Sequence, residues 1–351
     1  MQNTSPQITI AEYIWIDPEL GLRSKSKVLK TDHVKLSDLP EWNFDGSSTG
    51  QAEGNFSDVF IRPKKIYLDP FLKGNNVFVM CECYQNDIIP DKGNNRIHLS
   101  KTMEKYSHLE PWCGIEQEYV LFDRKNNLPM GWIGYDQPGK GPQGPYYCAV
   151  GGDRAFGREV AQTHMIKCME AGINIFGMNA EVMPSQWEFQ VGTSDPLTVA
   201  DDLWMARYIL HRVTENFDCY ADFHPKPYLG NGDWNGSGCH TNFSTKATRE
   251  NGGMEIIKKS CEIFKKQHKH DIQGYGKHNK MRLTGLHETA GIDEFSWGVG
   301  DRGASIRISK EVEKNGKGYF EDRRPASNID PYVVLRLILD NVGQVKLPKS
   351  K

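Results

Sequence analysis

Acidic residues inside apolar, strand-like segments are the feature of this 351-residue sequence that most restricts its fold. In the segment GIEQEYVLF, Glu116 and Glu118 lie two residues apart, so on a β-strand both side chains leave the same face. Two adjacent carboxylates in apolar surroundings repel each other unless a metal ion or a proton intervenes. The segment therefore predicts a strand that contributes to a cation site.

A second pair of acids lies in the segment NAEVMPSQWEFQ. Pro184 and Ser185 are at the centre of a turn signal, and a hairpin about that centre would place Glu181 directly opposite Glu188. Cross-strand neighbours of this kind have Cβ atoms roughly 4.5 to 5.5 Å apart. We therefore expect these two carboxylates to share one face.

Two more strand-like segments add polar residues at alternate positions. A set of carboxylates with one imidazole is hard and oxygen-rich, which favours Mg²⁺ or Mn²⁺ over zinc and requires more than one ion to balance the charge. Any single acid could instead be an ordinary ion-paired carboxylate without a metal. The histidine could instead be a buried residue with a purely structural role. The alternation gives His240, Asn242 and Ser244 in CHTNFS, and Tyr319, Glu321 and Arg323 in GYFEDRRP.

Arginines and a glycine-flanked loop complete the candidate site. Planar, permanently charged guanidinium groups suit phosphate and carboxylate, so acids together with arginines indicate phosphoryl transfer, although some of the arginines could only pair with surface acids. Neither a GxxxxGK[ST] loop nor a kinase-type glycine motif is present. Glu288 in GLHETAG lies in a segment typical either of a loop that closes over a site or of a plain surface loop. The arginines are Arg282, Arg302, Arg307 and Arg323.

Composition excludes several other classes of function. The formal net charge of −2 gives no indication of a nucleic-acid partner. The polar segment Met1–Ile10 is not a secretory signal, and no segment approaches the ~20 apolar residues of a membrane span, so we expect a cytoplasmic protein. The eight cysteines include no CxxC pair, which favours reduced thiols.

The order of the segments predicts two domains. Residues 1–95 contain strand-like runs at Ile10–Asp17, Lys64–Phe71 and Asn76–Tyr84 and end in a polar linker, Gln85–Asn95. Residues 96–351 alternate strands with amphipathic helices. The helices are expected at Arg158–Glu170, at Val199–Phe217 with Asp201 and Asp202 in its first turn, at Met254–His270, and after the N-cap Asp330.

Six long motifs in this order resemble the signatures of glutamine synthetase, in its short eukaryotic-type form (class II). They are WNFDGSSTGQ, GIEQEYVLF, NAEVMPSQWEFQ, NGSGCHTNFSTK, RLTGLHET and GYFEDRRPASN, and the similarity extends from about Glu12 to the C-terminal helix. The resemblance implies an α+β fold: a small N-terminal β-grasp domain and a larger C-terminal α/β catalytic domain with a curved antiparallel sheet flanked by helices. It also implies ATP-dependent ligation of ammonia to the γ-carboxylate of L-glutamate through γ-glutamyl phosphate.

The resemblance also implies the roles of individual residues. Two or three Mg²⁺ or Mn²⁺ ions per site are expected. One is held by Glu118, Glu181 and Glu188, and another, which bridges the nucleotide phosphates, by Glu116, His240 and Glu321. ATP is expected on Trp112, Asn242, Ser244, Arg307 and Tyr319, with Arg302 at the transferred phosphate, and glutamate on Asn235, Gly236, Arg282 and Arg323.

The ammonium side of the reaction is expected to involve two further segments. Asp45, with Ser48 beside it, matches the residue that attracts and deprotonates ammonium, and Glu288 matches a lid that shields the acyl phosphate from water. In this family the N-terminal domain of one subunit completes the site of its neighbour, which implies a homo-oligomer of two stacked rings, a decamer.

Departures from the family pattern are small. Asp301 stands where a neutral amide is expected, and Ser309 and Lys310 replace a Pro-Arg pair, which affects the expected loop geometry. A γ-glutamyl-polyamine ligase and a catalytically inactive structural oligomer are the alternatives. The charged pair of Asp45 and Glu288 favours a small cation over a bulky amine, and none of the six metal ligands is missing.

Overall fold

The computed structural model describes residues 8–85, 89–90, 93–132, 144–228 and 234–346. The chain divides into two compact units. The first consists of Met1–Ser100 with Ile166–Ile173, and the second of Lys101–Met165 with Asn174–Lys351.

The described residues of the first unit form a six-stranded sheet. Its strands are β1 (Thr9–Ile16), β2 (Leu22–Leu29), β3 (Trp42–Asp45), β4 (Asp58–Leu68), β5 (Val77–Gln85) and β6 (Ile89–Pro90). The order is β2-β1-β5-β4-β3, with β6 on β5, and only β1 and β5 run parallel among these pairs. Apolar residues at alternate positions, such as Tyr13 and Trp15, build the core on one face.

The strands expected in this unit are present, and part of the expected linker is structured. Ile89–Pro90 pairs with β5, while residues 86–88 and 91–92 of the linker lie outside the described residues.

The second unit contains an eight-stranded sheet among its described residues. Its strands are β7 (Trp112–Asp123), β8 (Ile175–Ala180), β9 (Gln186–Ser194), β10 (Cys219–Asp222), β11 (Cys239–Ser244), β12 (Trp297–Val299), β13 (Ile306–Ile308) and β14 (Phe320–Asp322). The order is β12-β13-β14-β11-β7-β9-β8, with β10 also on β7. All pairs are antiparallel except β12 with β13.

Some of the described α-helices pack against this second sheet. The described helices are α1 (Arg96–Lys105), α2 (Arg158–Ala171), α3 (Pro196–Thr214), α4 (Lys246–Arg249), α5 (Gly253–Asp271), α6 (Lys310–Asn315) and α7 (Pro331–Val342). Helix α3 packs on β7, β9 and β10, and α7 packs on both α3 and α5. None of the described helices combines the length and apolarity that crossing a membrane requires.

The predicted start of α3 is wrong by one turn. Asp195 is the N-cap, because its carboxylate accepts from the backbone N–H groups of Leu197 and Thr198 at 3.1 and 3.0 Å. Asp201 therefore lies inside the helix, buried, and accepts a hydrogen bond from the hydroxyl of Tyr332 at 2.6 Å. By contrast, Asp330 caps α7 as predicted, accepting from the backbone N–H of Tyr332.

Candidate active site

One face of the second sheet collects the acidic residues. On β7, Glu116 and Glu118 alternate with buried Gln117 and so point to the same side. The strand register places Glu188 of β9 opposite Glu118 and His240 of β11 opposite Glu116. Side chains directly opposite in antiparallel strands are neighbours, so three strands bring four potential ligands together.

The neighbouring strands extend this row of polar residues. Glu321 of β14 lies opposite Asn242 of β11 on one side and opposite Arg307 of β13 on the other. Asn242 Nδ2 donates to Glu116 Oε1 at 2.7 Å, which links the row to β7. Residues predicted from four separate sequence segments thus share one face.

The predicted pairing of Glu181 with Glu188 is wrong, because the hairpin is displaced from the expected centre. Ala180 pairs with Trp187, and the N–H of Glu181 donates to the carbonyl of Gln186 at 2.7 Å, so Glu188 faces Asn179 instead. The cause is Ser185, which adopts a left-handed conformation (φ 56°) and donates its hydroxyl to the carbonyl of Leu121. The turn therefore occupies residues 182–185. Glu181, just beyond the strand, still reaches the same cavity.

Glu116, His240 and Glu321 form a group that could hold a metal ion. One candidate ligand atom of each lies within 4.8 Å of the others. His240 Nδ1 is 3.6 Å from an oxygen of each of the two carboxylates. Burial first, and then nearby Arg323, lower the pKa of His240 to about 3, so the imidazole is neutral, which is the form that can bind a metal ion.

Glu118, Glu181 and Glu188 form a second acidic group. Burial first, and then the neighbouring carboxylates, raise the pKa of Glu181 to about 8 and that of Glu188 to about 9. Neutral amides from Asn179 and Gln190 donate to Glu181 and Glu188. None of the three carboxylates forms an ion pair with a lysine or arginine of the described residues. This donor set therefore fits a divalent cation.

Arginines lie around Glu321, at the β14 end of this row of polar residues. Glu321 pairs with Arg307 at 2.7 Å and with Arg323 at 2.6 Å. Within the part of the chain that the structure describes, the buried Nε of Arg307 has no hydrogen-bond partner, so it is an available donor for an oxyanion. Arg282 is buried and donates to the carbonyl of Arg323 at 3.0 Å.

Two glycines allow Arg282 to lie close to the main chain. A Cβ on Gly236 would lie 2.8 Å from Arg282 Cγ, and a Cβ on Gly238 would lie 2.5 Å from Arg282 Nη2. The N–H of Gly238 also donates to Glu118 Oε2 at 2.8 Å. Only glycine fits at these positions.

The segment around Glu288 lies at the edge of the cavity. It is closed by a β-bridge between Thr284 and Gly291. The carbonyl of Glu288 accepts from Arg323 Nη2 at 3.4 Å, and its carboxylate is exposed. The backbone of Glu288 has a positive φ of 60°.

These groups line a single cavity of about 1100 Å³. It contains every site residue predicted in the second unit. They are Trp112, Glu116, Glu118, Glu181, Glu188, Asn235, Gly236, His240, Asn242, Ser244, Arg282, Glu288, Arg302, Arg307, Tyr319, Glu321 and Arg323.

Asp45 and Ser48 belong to the first unit, at the end of β3. The carboxylate of Asp45 accepts from Ser47 Oγ at 2.6 Å, from Ser47 N at 3.0 Å and from Ser48 Oγ at 2.9 Å. These hydrogen bonds, that from Ser47 Oγ first, lower the pKa of Asp45. The side chain is therefore an exposed, ionised acid that its neighbours hold in place.

Comparison with known proteins gives a consistent result over both units. The glutamine synthetase catalytic-domain family model matches residues 93–278, and the glutamine synthetase β-grasp-domain family model matches residues 7–86. The chain belongs to the glutamine synthetase family. The predicted resemblance and the predicted α+β fold class are confirmed.

Individual relatives of the glutamine synthetase family cover nearly the whole chain. A glutamine synthetase from Yarrowia lipolytica is 53% identical over 333 residues, which cover 95% of this chain and 90% of the relative. The glutamine synthetase cytosolic isozyme 1-1 of Oryza sativa is 52% identical over 343 residues, which cover 97% of this chain and 95% of the relative. The cryo-EM structure of Plasmodium falciparum glutamine synthetase shares the fold, with a TM-score of 0.75 at 20% identity, over 99% of this chain and 74% of that one.

Two departures from the glutamine synthetase pattern have a local explanation. Ser309, in place of a proline, is the N-cap of α6, and its hydroxyl accepts from the N–H of Val312 at 3.2 Å. Asp301 accepts from the N–H of Gly303 at 2.9 Å and so stabilises the turn before β13. Both residues form ordinary loop structure.

Sequence reasoning missed one glutamine synthetase residue that lines the cavity beside Trp112. The guanidinium of Arg249 lies 3.9 Å from the ring centroid of Trp112 and donates to Ser244 Oγ at 3.0 Å. Arg249 is on the short helix α4, so strand alternation could not indicate it. By contrast, Gln186 and Gln190 lie two residues before and after Glu188 in β9, so their amides share its face. The alternation of the sequence could have indicated these two residues.

Proposed function

We propose that the chain joins ammonia to the γ-carboxylate of L-glutamate in the cavity described above, using ATP and passing through γ-glutamyl phosphate. The chain is a glutamate–ammonia ligase by its family membership and its curated relatives. The observation that carries the proposed mechanism is the convergence of six carboxylates, five arginines and the neutral imidazole of His240 on one cavity.

The two acidic groups are the proposed metal sites. Glu118, Glu181 and Glu188 would hold one divalent ion, and Glu116, His240 and Glu321 would hold a second beside the nucleotide. Bound Mg²⁺ or Mn²⁺ neutralises phosphate oxygens and so lowers the cost of charge on the transferred group. The raised pKa values of Glu181 and Glu188 support this assignment, because carboxylates left without a cation bind protons instead.

ATP is proposed to lie along the β11 side of the cavity. The exposed ring of Trp112 offers a stacking surface for adenine, and Asn242, Ser244 and Tyr319 line the adjoining wall. The available Nε of Arg307 would donate to a phosphate oxygen.

Glutamate is proposed to bind next to the second acidic group. Asn235 and Gly236 would contact its amino-acid end, and Arg282 and Arg323 its carboxylates. Arg302, whose carbonyl already accepts from Arg323 Nε at 3.0 Å, would stabilise the phosphoryl group during transfer.

Ammonium needs a base and protection from water. Asp45, ionised and held by Ser47 and Ser48, is the proposed acceptor of the ammonium proton. Glu288 is proposed to close over the acyl phosphate, because a water molecule in that position would hydrolyse it. Asp45 would act on the site of a neighbouring subunit.

The proposal includes a ring-based homo-oligomer, a decamer of two stacked rings, in which one subunit supplies Asp45 to the site of its neighbour. A domain boundary between Asn95 and Arg96 and a cytoplasmic location also belong to the proposal. The matched ranges 7–86 and 93–278 support a boundary near this position, and the name of the rice relative, a cytosolic isozyme, supports the location.

Phosphate release by the purified protein tests the reaction. With glutamate, ATP and Mg²⁺, release should require ammonia, and hydroxylamine should replace it. Release with a polyamine but not with ammonia would identify the alternative ligase, and no release with either would indicate the inactive oligomer. Light scattering on the same sample measures the oligomeric state.

The variant Glu288→Ala tests the lid. We expect ATP binding to stay nearly unchanged while phosphate release becomes uncoupled from glutamine formation. Thr284→Ala, which changes the same loop away from the carboxylate, is the control. Coupled turnover by Glu288→Ala would refute the role of Glu288.

A further inference from the structure

A buried ion pair lies on the opposite side of β14 from the cavity. Asp322 and Arg324 are both fully buried, and Arg324 donates to the two carboxylate oxygens of Asp322 at 2.9 and 2.7 Å. The rings of Phe264, Tyr275 and Phe295 enclose the guanidinium, with centroids 5.6, 4.9 and 5.3 Å away. Arg324 is therefore held in one position by packing as well as by charge.

His268 of α5 bridges this ion pair to another part of the chain. Its Nδ1 lies 3.1 Å from Arg324 Nη1, and its Nε2 lies 2.8 Å from the carbonyl of Ile292. Arginine can only donate and a carbonyl can only accept, so Nδ1 is the acceptor and Nε2 carries the hydrogen. Both nitrogens of this buried, neutral ring are thus used.

The Ile292 end of the bridge fixes the base of the loop that carries Glu288. The N–H of Ile292 donates to the carbonyl of Leu283 at 3.0 Å, next to the β-bridge between Thr284 and Gly291. Movement of Ile292 would therefore move the C-terminal side of this loop.

The Arg324 end fixes two arginines of the cavity. Arg324 directly follows Arg323, and its carbonyl accepts from Arg282 Nη1 at 3.4 Å. On the cavity side, Arg323 Nη2 donates to the carbonyl of Glu288. The strand and the loop are thus connected twice, once inside the cavity and once behind it through His268.

From these contacts we infer that His268 is a positioning residue, which holds the Glu288 loop through Ile292 and the glutamate-binding arginines through Arg324. The inference rests on the proposed function, because its effects are read in that reaction. The two nitrogens act on different properties. The Nε2 bond to Ile292 sets how well the loop excludes water, and the Nδ1 bond to Arg324 sets the affinity for glutamate.

Two substitutions separate the two bonds. In His268→Asn, the amide oxygen takes the place of Nδ1 and still accepts from Arg324, but nothing reaches Ile292. We expect phosphate release without glutamine formation to rise severalfold, with the KM for glutamate nearly unchanged. In His268→Gln, the amide nitrogen takes the place of Nε2 and still donates to Ile292. We expect phosphate release to stay coupled to glutamine formation. We expect the KM for glutamate to rise roughly tenfold, which is the smallest change that loss of a supporting hydrogen bond typically causes.

The wild-type protein and His270→Asn are the controls. His270, two residues along α5, is largely exposed and pairs only with Asp271 in the described structure, at 3.2 Å, so its substitution should change neither quantity. An inactive wild type would defeat the proposed function. An active wild type with equal changes, or no changes, in both His268 variants would overturn the role of His268.

A third variant covers the case in which neither His268 variant folds. Phe295→Leu removes a ring that packs against both His268 and Arg324, 5.8 Å from the centroid of the His268 ring and 5.3 Å from the guanidinium of Arg324, and so loosens both ends of the bridge together. Coupling and the KM for glutamate should then shift together. Unchanged values for a folded Phe295→Leu protein would contradict the inference.

Discussion

Two ion pairs at the C-terminal end of β14 face opposite sides of the sheet. Asp322 and Arg324 face the core, where the carboxylate also accepts from the hydroxyl of Tyr275 at 3.0 Å. Glu321 and Arg323 face the cavity, where Glu321 also pairs with Arg307 and lies beside His240. Both pairs are buried and both are short, so neither burial nor distance distinguishes structure from function.

The difference between the two sides is whether the charges are balanced by the protein itself. On the core side, Arg324 satisfies Asp322 with two hydrogen bonds. On the cavity side, Arg307 Nε has no partner in the described structure, and the carboxylates next to Glu321 depend on neutral amides or on each other. Several buried carboxylates and an unpartnered guanidinium nitrogen in one cavity therefore indicate a site that binds ligands.

Strand β7 shows the same difference between a cavity face and a core face. Between Glu116 and Glu118, the side chain of Gln117 points to the core and accepts from Arg207 at 2.6 and 2.9 Å. Gln117 also donates to the carbonyl of Ser327 at 3.0 Å. The ligand-bearing strand is thus fixed from behind by groups whose own hydrogen bonds are made within the protein.

The largest effect is expected on the core side. Arg324→Met leaves the carboxylate of Asp322 buried without its cation, which typically costs about 3 to 5 kcal/mol of unfolding free energy. Arg323→Met is the matched variant, and it leaves Glu321 paired with Arg307. We expect it to cost only about 1 kcal/mol of stability, but to abolish most activity. Equal losses of stability, measured by urea unfolding at one protein concentration, would remove the distinction between the two faces.

A divalent cation should stabilise the cavity face by a smaller amount. At a hundred times its Kd, Mn²⁺ should raise the unfolding free energy by about 2.7 kcal/mol. His240→Asn removes one ligand, and a hundredfold weaker Kd would reduce the gain at the same concentration to about 0.4 kcal/mol. His270→Asn, outside the cavity, should keep the full gain. Equal stabilisation of all three proteins would show that Mn²⁺ binds elsewhere.

Much of the cavity face could be predicted because β-strands have a two-residue period. That period relates Glu116 to Glu118 and His240 to Asn242, whatever the rest of the fold. The register between strands could not be deduced in the same way. The expected opposition of Glu181 and Glu188 failed because Ser185 takes a left-handed conformation, which its contact with β7 stabilises.

The core side was not predictable from local pattern. Arg324 follows β14, His268 lies in α5 and Tyr275 follows α5, so their meeting depends on tertiary packing. Arg249 was missed for a related reason, because it reaches Trp112 from a four-residue helix. The roles of Asp45 and Ser48 rest on resemblance to the family and stay predictions.

The smallest expected effect is a pH dependence of stability that belongs to the cavity face. In the absence of metal, Glu188 has a pKa of about 9 in the folded protein against an ordinary value of 4.5, so the folded state binds this proton more tightly than the unfolded state. Its contribution to stability is therefore complete below about pH 4.5 and is lost as the pH rises through about 9.

Glu188→Gln cannot ionise, so the loss of stability between pH 6 and pH 9 in EDTA should shrink by at least about 1.4 kcal/mol, the equivalent of one pKa unit. Glu255→Gln is the control, since Glu255 is exposed, pairs with Lys258 and has a lowered pKa, and it should leave the slope unchanged. Saturating Mn²⁺ should also remove the excess slope of the wild type, because the bound cation favours the ionised carboxylate. A wild-type slope that neither Glu188→Gln nor Mn²⁺ reduces would mean that these carboxylates are already balanced within the protein, as those of the core side are.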